Sequence, residues 1–200
     1  MDKIQIVRGI AAPLMIDSLD TDVITPMSRI MEGSGSLLQY SFEPLRFHTD
    51  GSLNPEFVLN QPAYANAKIL ITGANFACGS SRETAVWAVK GLGFDVVIAS
   101  SFGEIFRQNA FKNGLLPIQL PDASVKHLAR QANDSEFTVN LQTQQILAPD
   151  GSSTRFEVNG FRKAGLLAGQ DDLTLVLAKA DKIRDFQIRD RSLRPWVYNR

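Results

Sequence analysis

The middle of the chain alternates three short apolar runs with two segments of helical pattern, and this order restricts the fold more than any other feature. The apolar runs are Lys68–Thr72, Asp95–Ser100 and Leu115–Leu120. Glycines end both intervening segments, at Gly91 and Gly93 and at Gly114, as is common at helix ends. Strands connected by helices form a parallel sheet with right-handed crossovers. The sequence therefore predicts an α/β protein with a central, mostly parallel sheet.

The flanking segments predict further elements. Ile4–Leu14 is predicted to be a short strand that runs into a turn at Pro13. Phe137–Leu141 and Arg155–Val158 alternate as the two strands of a hairpin around the turn residues 149–151. Ser101 and Glu104 have the spacing of a capping box, which predicts that a helix opens there.

The chain divides into one domain, residues 1–180, and a tail, residues 181–200. The tail holds six basic and three acidic residues. We expect a solvated helix with a frayed end, and a docking arm for a partner is the alternative.

Composition excludes several classes of protein. Lys plus Arg and Asp plus Glu number 21 each, so the net charge is zero and nothing indicates a nucleic-acid or membrane-surface protein. The single cysteine, Cys78, excludes an internal disulfide and a metal or iron–sulfur site made of this chain's own thiolates. Any metal chemistry must then come from a partner. The sequence contains no signal peptide and no long apolar segment, which favours a cytoplasmic protein.

The turn between the predicted strand Lys68–Thr72 and the helix that follows it reads G-A-N-F-A-C-G-S-S-R-E, residues 73–83. It lies at the carboxyl end of a parallel strand, where α/β proteins bind ligands. The free N–H groups of a helix start favour an anion, and Arg82 offers a planar donor pair that matches a carboxylate. Ser80 and Glu83 also form a capping box, which would need no function. Both interpretations, a carboxylate site and a helix cap, stay open from local pattern.

A cysteine hydrolase is a further alternative, because Cys78 lies shortly before a helix start, where a thiol can become nucleophilic. Such an enzyme needs a histidine base. His48 lies in a Phe-rich loop and His127 on a predicted surface helix, so neither is expected to serve.

Three motifs resemble one family. Residues 75–83 are similar to N-F-G-C-G-S-S-R-E-H-A of isopropylmalate dehydratase small subunits, a signature also found in the swivelling C-terminal domain of aconitase. Residues 20–26 resemble the D-T-D-x-I-I-P loop, and residues 101–118 the S-F-x-x-I-F-x-x-N…G-L-L-P-I block. The motifs occur in the family's order and cover most of residues 15–120.

The resemblance implies a three-layer β/β/α swivelling domain that works with a large subunit. That partner would hold a [4Fe-4S] cluster, with no cofactor bound by this chain. The reaction would be dehydration and rehydration of a small hydroxy-dicarboxylic acid, as in leucine biosynthesis.

The motif match also assigns site residues. Ser80 would be the catalytic base, and Ser81 and Arg82 would bind a substrate carboxylate. Asp22 would orient a catalytic side chain or water, and Asn75 would line the same pocket.

Two departures from the family bear on the substrate. Thr84 stands where R-E-H-A has its histidine, and the substrate-selecting segment after Pro26 is predicted to be a short, flexible loop rich in small residues. A paralogous dehydratase subunit for another substituted malate is therefore kept as an alternative. A non-catalytic carboxylate-binding module that kept the fold and lost its partner is a separate alternative.

Overall fold

A computed structural model describes residues 1–32, 36–79, 83–133 and 135–198. Within them, seven strands form one sheet in the order β4-β3-β2-β1-β5-β6-β7. The strands are β1 (Ile6–Leu14), β2 (Ile69–Thr72), β3 (Val96–Ala99), β4 (Leu116–Gln119), β5 (Glu136–Asn140), β6 (Gln145–Leu147) and β7 (Ser153–Arg155). Strands β1 to β4 are mutually parallel, and β5 to β7 extend the sheet in antiparallel fashion from β1. The predicted α/β class with a parallel centre is confirmed.

The helices of the described residues lie between and after these strands. They are α1 (Thr21–Ile24), α2 (Met27–Glu32), α3 (Glu43–Arg46), α4 (Thr84–Gly91), α5 (Glu104–Lys112), α6 (Asp122–Arg130), α7 (Gly160–Ala168), α8 (Asp172–Leu177) and α9 (Ala180–Leu193). Short 3-10 turns occupy Val58–Asn60, Pro62–Tyr64 and Pro195–Val197. Across the ranges that the structure describes, no helix has both the length and the apolar character needed to cross a membrane.

The parallel strands separate two hydrophobic cores, because successive side chains point to opposite faces of a sheet. Ile69 and Ile71 face one core, which they share with β5, β6 and α6, whereas Leu70 faces the other, which it shares with α4 and α5. All three side chains are fully buried, and each such burial contributes roughly 1.5–3 kcal/mol. The result is the predicted layering of strands, parallel sheet and helices.

Strand β1 joins the two halves of the sheet. Ile6–Ile10 pair with β5, and Ala11–Leu14 pair with β2. The turn predicted at Pro13 was wrong, since Pro13 lies inside the strand opposite Ile71. Pairing with β5 has ended before this point, so one side of Pro13 needs no ladder hydrogen bond.

The hairpin prediction was also wrong in its pairing. The turn at residues 149–151 joins β6 to β7, and Phe137–Leu141 contributes β5, which pairs with β6 and not with β7. Strand β6 escaped prediction because it has three residues, of which only Ile146 is buried.

The segment after Pro26 begins as a helix, α2, and not as the predicted flexible loop. Arg29 fixes it by donating from Nε and Nη2 to the Glu43 carboxylate at 2.9 and 2.6 Å and from Nη1 to Glu32 at 3.1 Å. The bond from Arg29 lowers the pKa of Glu43. Gly33, Ser34 and Gly35 of the same predicted loop lie outside the described residues.

Candidate active site at the carboxyl edge of the parallel strands

Three loops meet at one edge of the sheet. They follow β1, β2 and β3, which are neighbours, so their carboxyl ends lie side by side. Isolated bridges continue the pairing beyond the strands, from Asp20 to Cys78 and from Phe76 to Phe102. This edge is where open α/β sheets place their ligands.

Backbone hydrogen bonds join the loop after β1 to the loop after β2. The Cys78 N–H donates to the Leu19 carbonyl at 3.1 Å, and the Thr21 N–H donates to the Cys78 carbonyl at 2.9 Å. The Asp17 carboxylate adds a side-chain contact, since it accepts from the Ala74 N–H at 2.7 Å. The motif that begins at Asp20 is thereby fixed beside the turn that leads to Ser80.

A second set of bonds joins the loop after β2 to the loop after β3. The Phe76 N–H donates to the Ser101 carbonyl at 3.1 Å, and the Gly103 N–H donates to the Phe76 carbonyl at 2.8 Å. The Ser101 hydroxyl accepts from the Asn75 N–H at 2.7 Å. Ser101 therefore does not open α5 as a capping box; Gly103 is the N-cap, and the predicted cap was wrong.

The cluster is backed by aromatic packing. The Phe76 ring meets Phe106 edge-on at 5.3 Å between centroids, and Phe102 stacks on Phe106 at 6.4 Å. Phe76 and Phe106 are buried, so the motif at residues 101–118 packs against the turn at residues 73–83.

Left-handed backbone is concentrated in these loops. Ser18, Asn75 and Ala77 have φ of 51, 54 and 56°. Such conformations cost non-glycine residues free energy, and they persist where the surroundings fix them, often at functional sites. Ala77 occupies the position at which the family signature has glycine.

Two glycines permit the close approach of the loops. Gly79 has φ of 87°, and a Cβ there would collide with the Asp20 carboxylate. A Cβ on Gly103 would collide with the backbone carbonyl of Ala77. The junctions therefore have no room for a side chain at either position.

The predicted site residues fall into two groups. Asp22 and Asn75 are exposed at this edge, and Ser80, Ser81 and Arg82 lie outside the described residues. Asn75 donates from Nδ2 to the Ser18 hydroxyl at 3.2 Å.

Asp22 lies in α1 and is bonded to the N-cap of its own helix and to the start of α2. It donates its N–H to Asp20 Oδ1 at 2.7 Å, and its Oδ1 accepts from the Met27 N–H at 3.2 Å. Asp22 therefore links α1 to α2 beside the predicted site.

The start of α4 shows how the chain leaves the turn. Glu83 Oε1 accepts from Asn113 Nδ2 at 2.6 Å, and Trp87 Nε1 donates to Asn113 Oδ1 at 3.0 Å. The hydroxyl of Thr84 lies 3.4 Å from that of the buried Thr25. The residue that replaces the family histidine is thus at the contact between α4 and the D-T-D loop.

The cysteine is held as a structural residue. Cys78 is half-buried, and its Sγ donates to the Ser18 carbonyl at 3.3 Å. His127 lies on α6 and contacts Gln131 and Ser152. His48 lines a groove with Arg29 and Glu43. Neither histidine belongs to the three loops. In the described ranges, no three His, Cys, Asp or Glu side chains are grouped to hold a metal ion.

Sequence reasoning missed three residues that build the site: Asp17, Ser18 and Ser101. Asp17 and Ser18 follow β1, and Ser101 follows β3. The signal that could have identified them is that position, because small polar residues at adjacent strand ends can bond to each other's loops.

Residues 1–123 match the aconitase C-terminal domain family. The 3-isopropylmalate dehydratase small subunits of Afipia carboxidovorans and Rhodospirillum centenum are 44% and 46% identical to the chain, covering 98% of it and 100% and 99% of their own lengths. The crystal structure of 3-isopropylmalate dehydratase from Methanocaldococcus jannaschii matches with a TM-score of 0.65 at 25% identity, over 90% of this chain and 99% of that one. The chain belongs to the aconitase C-terminal domain family and, within it, to the 3-isopropylmalate dehydratase small subunits.

Proposed function

We propose that this chain is the substrate-clamping small subunit of a 3-isopropylmalate dehydratase, a hydro-lyase of leucine biosynthesis that moves a hydroxyl between neighbouring carbons of a hydroxy-dicarboxylic acid. One observation carries the proposal beyond the likeness to relatives. Motifs that are far apart in sequence, beginning at Asp20, Asn75 and Ser101, are bonded to one another at a single sheet edge. The cytoplasmic localisation stays a prediction.

The chain's own residues do not fit a cluster site. Cys78 is the only cysteine, and its sulfur is directed to the Ser18 carbonyl. We infer that a large subunit carries the [4Fe-4S] cluster, in line with relatives that are named small subunits. When bound, the cluster supplies a Lewis acid for the departing hydroxyl.

The role of this chain is then proton transfer and positioning. Ser80 would take the proton from the carbon beside a carboxylate, which needs a stabilised alkoxide. Arg82 would hold the carboxylate through two parallel hydrogen bonds and offset negative charge. The residues on either side support this placement, since Gly79 packs on Asp20 and Glu83 is fixed by Asn113. The described residues on both sides of Ser80–Arg82 are therefore anchored.

Asp22 and Asn75 complete the proposed site. Both side chains are exposed on loops next to the segment that contains Ser80. The Asp22 carboxylate also accepts from the Met27 N–H, which holds Asp22 against the start of α2. We propose that Asp22 orients a catalytic group or water, and that Asn75 and Ser81 contact substrate.

Another substituted malate is a second candidate substrate, and one observation favours it. Arg29, the cation in the segment expected to select the substrate, is bound by Glu43 and Glu32, so its charge is offset by the chain's own carboxylates. The size of the substrate's side group then decides between the candidates more than its charge does.

The test is steady-state kinetics of the complex reconstituted with its large subunit, using isopropylmalate and a series of smaller 2- and 3-substituted malates. Ser80→Ala should bind substrate and lose about 10²–10⁴-fold in turnover. Arg82→Lys keeps the charge but loses the paired geometry, so it should raise KM and also lower kcat. The isolated chain should bind no iron.

A helix cap without function predicts a different outcome. Ser80→Ala would then cost about 1 kcal/mol of stability in thermal melts, and neither variant would selectively change turnover. Near-normal turnover by Ser80→Ala would remove it as the base. A wild-type complex that turns over no malate would favour the non-catalytic module.

A further inference from the structure

The C-terminal arm, which we define as residues 172–198, stands out by its exposure. In α9 only Asp190 is buried, at 7% exposure. Large apolar side chains of the arm are exposed at Leu173, Val176, Leu177, Ile183, Phe186, Ile188, Leu193, Trp196 and Val197. So many exposed large apolar side chains in one short segment are uncommon on a monomer and indicate an interaction site.

The apolar residues are arranged in stripes. In α8, Leu173, Val176 and Leu177 have the spacing of one helix face. In α9, Ile183, Phe186 and Leu193 repeat this spacing along one side, and Ile188 lies on the opposite side of the helix. Each helix of the arm thus presents an exposed apolar face.

Charge distinguishes the arm from the rest of the chain. Residues 172–198 hold six basic and four acidic residues, whereas residues 1–171 hold 14 basic and 17 acidic ones. Two of the four acidic residues are paired within the arm, Asp181 with Arg184 and Asp190 with Arg194. The apolar face is therefore flanked by an excess of positive charge.

The end of the arm is pre-organised. Asp190 accepts from Arg194 Nε at 2.7 Å and from the Tyr198 hydroxyl at 2.9 Å, and the Arg191 guanidinium lies 5.2 Å from the Tyr198 ring centre. An isolated helix of 14 residues is only marginally stable in water, so a covering partner is needed for a firm structure. Binding would cost less conformational entropy because the bonds to Asp190 already order this end of the arm.

Two observations identify the occupant. The Afipia small subunit matches 98% of this chain, so the arm lies within the length shared with named small subunits. Pairing of two arms from two copies of this chain would bring like charges together, which is unfavourable. The partner that suits the arm has an apolar groove with acidic residues at its rim.

We propose that α8 and α9 dock as a helix in a groove on the large subunit, with Leu177 and Phe186 among the anchors and the arm's cations on the acidic rim. This rests on the proposed function, because it names the contact that joins the two subunits. The side-chain bonds given for α9 stay within the arm, at Arg184–Asp181, Arg194–Asp190 and Tyr198–Asp190. We therefore assign the arm to assembly and not to chemistry.

The experiment is titration of the full chain, labelled near its N-terminus, with the purified large subunit. Phe186→Ser and Leu177→Ser should each raise Kd about 30-fold, as expected for an anchor residue in an interface. Ile188→Ser is the matched control, since it removes an exposed apolar side chain from the other face of α9, and its Kd should change less than about threefold. Phe186→Leu should restore most of the affinity. Raising the salt concentration should weaken wild-type binding.

Each outcome decides the question. Equal Kd for Phe186→Ser and wild type, or equal losses for Phe186→Ser and Ile188→Ser, overturns the proposal. A stable wild-type dimer that Phe186→Ser converts to a monomer identifies a second copy as the occupant instead. At saturating large subunit the variants should regain wild-type kcat. If the wild-type chain does not bind the large subunit at all, the proposed function itself fails, which the variants alone cannot cause.

Discussion

The loop cluster and the C-terminal arm are organised in opposite ways. In the cluster, backbone groups of three loops bond to one another, and left-handed residues such as Ala77 are fixed by their neighbours. In the arm, hydrogen bonds are local to helices and nearly every side chain is exposed. The geometry of the cluster is fixed by bonds within the chain, whereas a firm structure of the arm depends on a bound partner. A change in the cluster should therefore affect chemistry, and a change in the arm should affect assembly.

The largest effect is expected where the cluster has no spare room. Gly103→Ala places a methyl group against the Ala77 carbonyl, so the turn that leads to Ser80 must move. A displacement of about 1 Å can cost 10²-fold in rate, and overpacking typically costs about 1–3 kcal/mol. The measurement is kcat/KM of the reconstituted enzyme together with thermal melts of the isolated chain.

Gly160→Ala is the control for that change. Gly160 begins α7, and a Cβ there meets no atom within 4 Å. Alanine should be neutral or slightly stabilising in a helix. Equal loss of activity in both variants would show that the close contact at Gly103 is not what positions the site.

The parallel half of the fold could be predicted from sequence, whereas in the antiparallel half β5 was predicted but its pairing partner was not. Buried parallel strands read as continuous apolar runs, and β2, β3 and β4 all lie within the predicted runs. Strand β6 has one buried residue, Ile146, so its alternation is too short to recognise. Pairing across sequence positions 137–155 is tertiary information.

The site could be predicted in position but not in its internal bonds. Strand–turn–helix order located the turn after β2, and the motifs named its residues. The bonds between loops depend on positive φ at Ser18 and Ala77, residue types with little preference for it. Ser101 matched a local cap pattern, yet its hydroxyl bonds to Asn75 in another loop.

An intermediate effect is expected for Ser101→Ala. It removes the acceptor of the Asn75 N–H and leaves the backbone bonds of Ser101 in place. Loss of one hydrogen-bond partner costs about 1 kcal/mol, and a looser turn should lower kcat by roughly tenfold. Kinetics with a melt on the same preparation would check this. Unchanged kcat with a lower Tm would mean that the Ser101 hydroxyl stabilises the fold without positioning the site.

A smaller effect is expected for Cys78→Ser. The Cys78 sulfur donates to the Ser18 carbonyl, and a serine hydroxyl can donate to the same acceptor. Turnover of the reconstituted complex should stay within about threefold of wild type, since a thiol nucleophile would instead be indispensable. Complete loss of turnover with normal assembly would restore the cysteine-hydrolase alternative.

The smallest effect should come from acid titration of the arm. The bond from Arg194, followed by the bond from the Tyr198 hydroxyl, lowers the pKa of Asp190 below its ordinary value. A lowered pKa in the folded state means that the contact stabilises the helix end above the ordinary aspartate pKa of about 4, and that this is lost as the pH falls through the lower folded value. The Arg194 N–H, which donates to the Asp190 carbonyl, should therefore stay protected from exchange between neutral pH and about pH 4 and lose protection below it. Asp190→Asn should abolish that dependence.

The Asn75 N–H is the internal reference, because its acceptor, the Ser101 hydroxyl, does not titrate in this range. If Arg194 and Asn75 lose protection at the same pH, the event is global unfolding, and the arm does not titrate separately from the cluster.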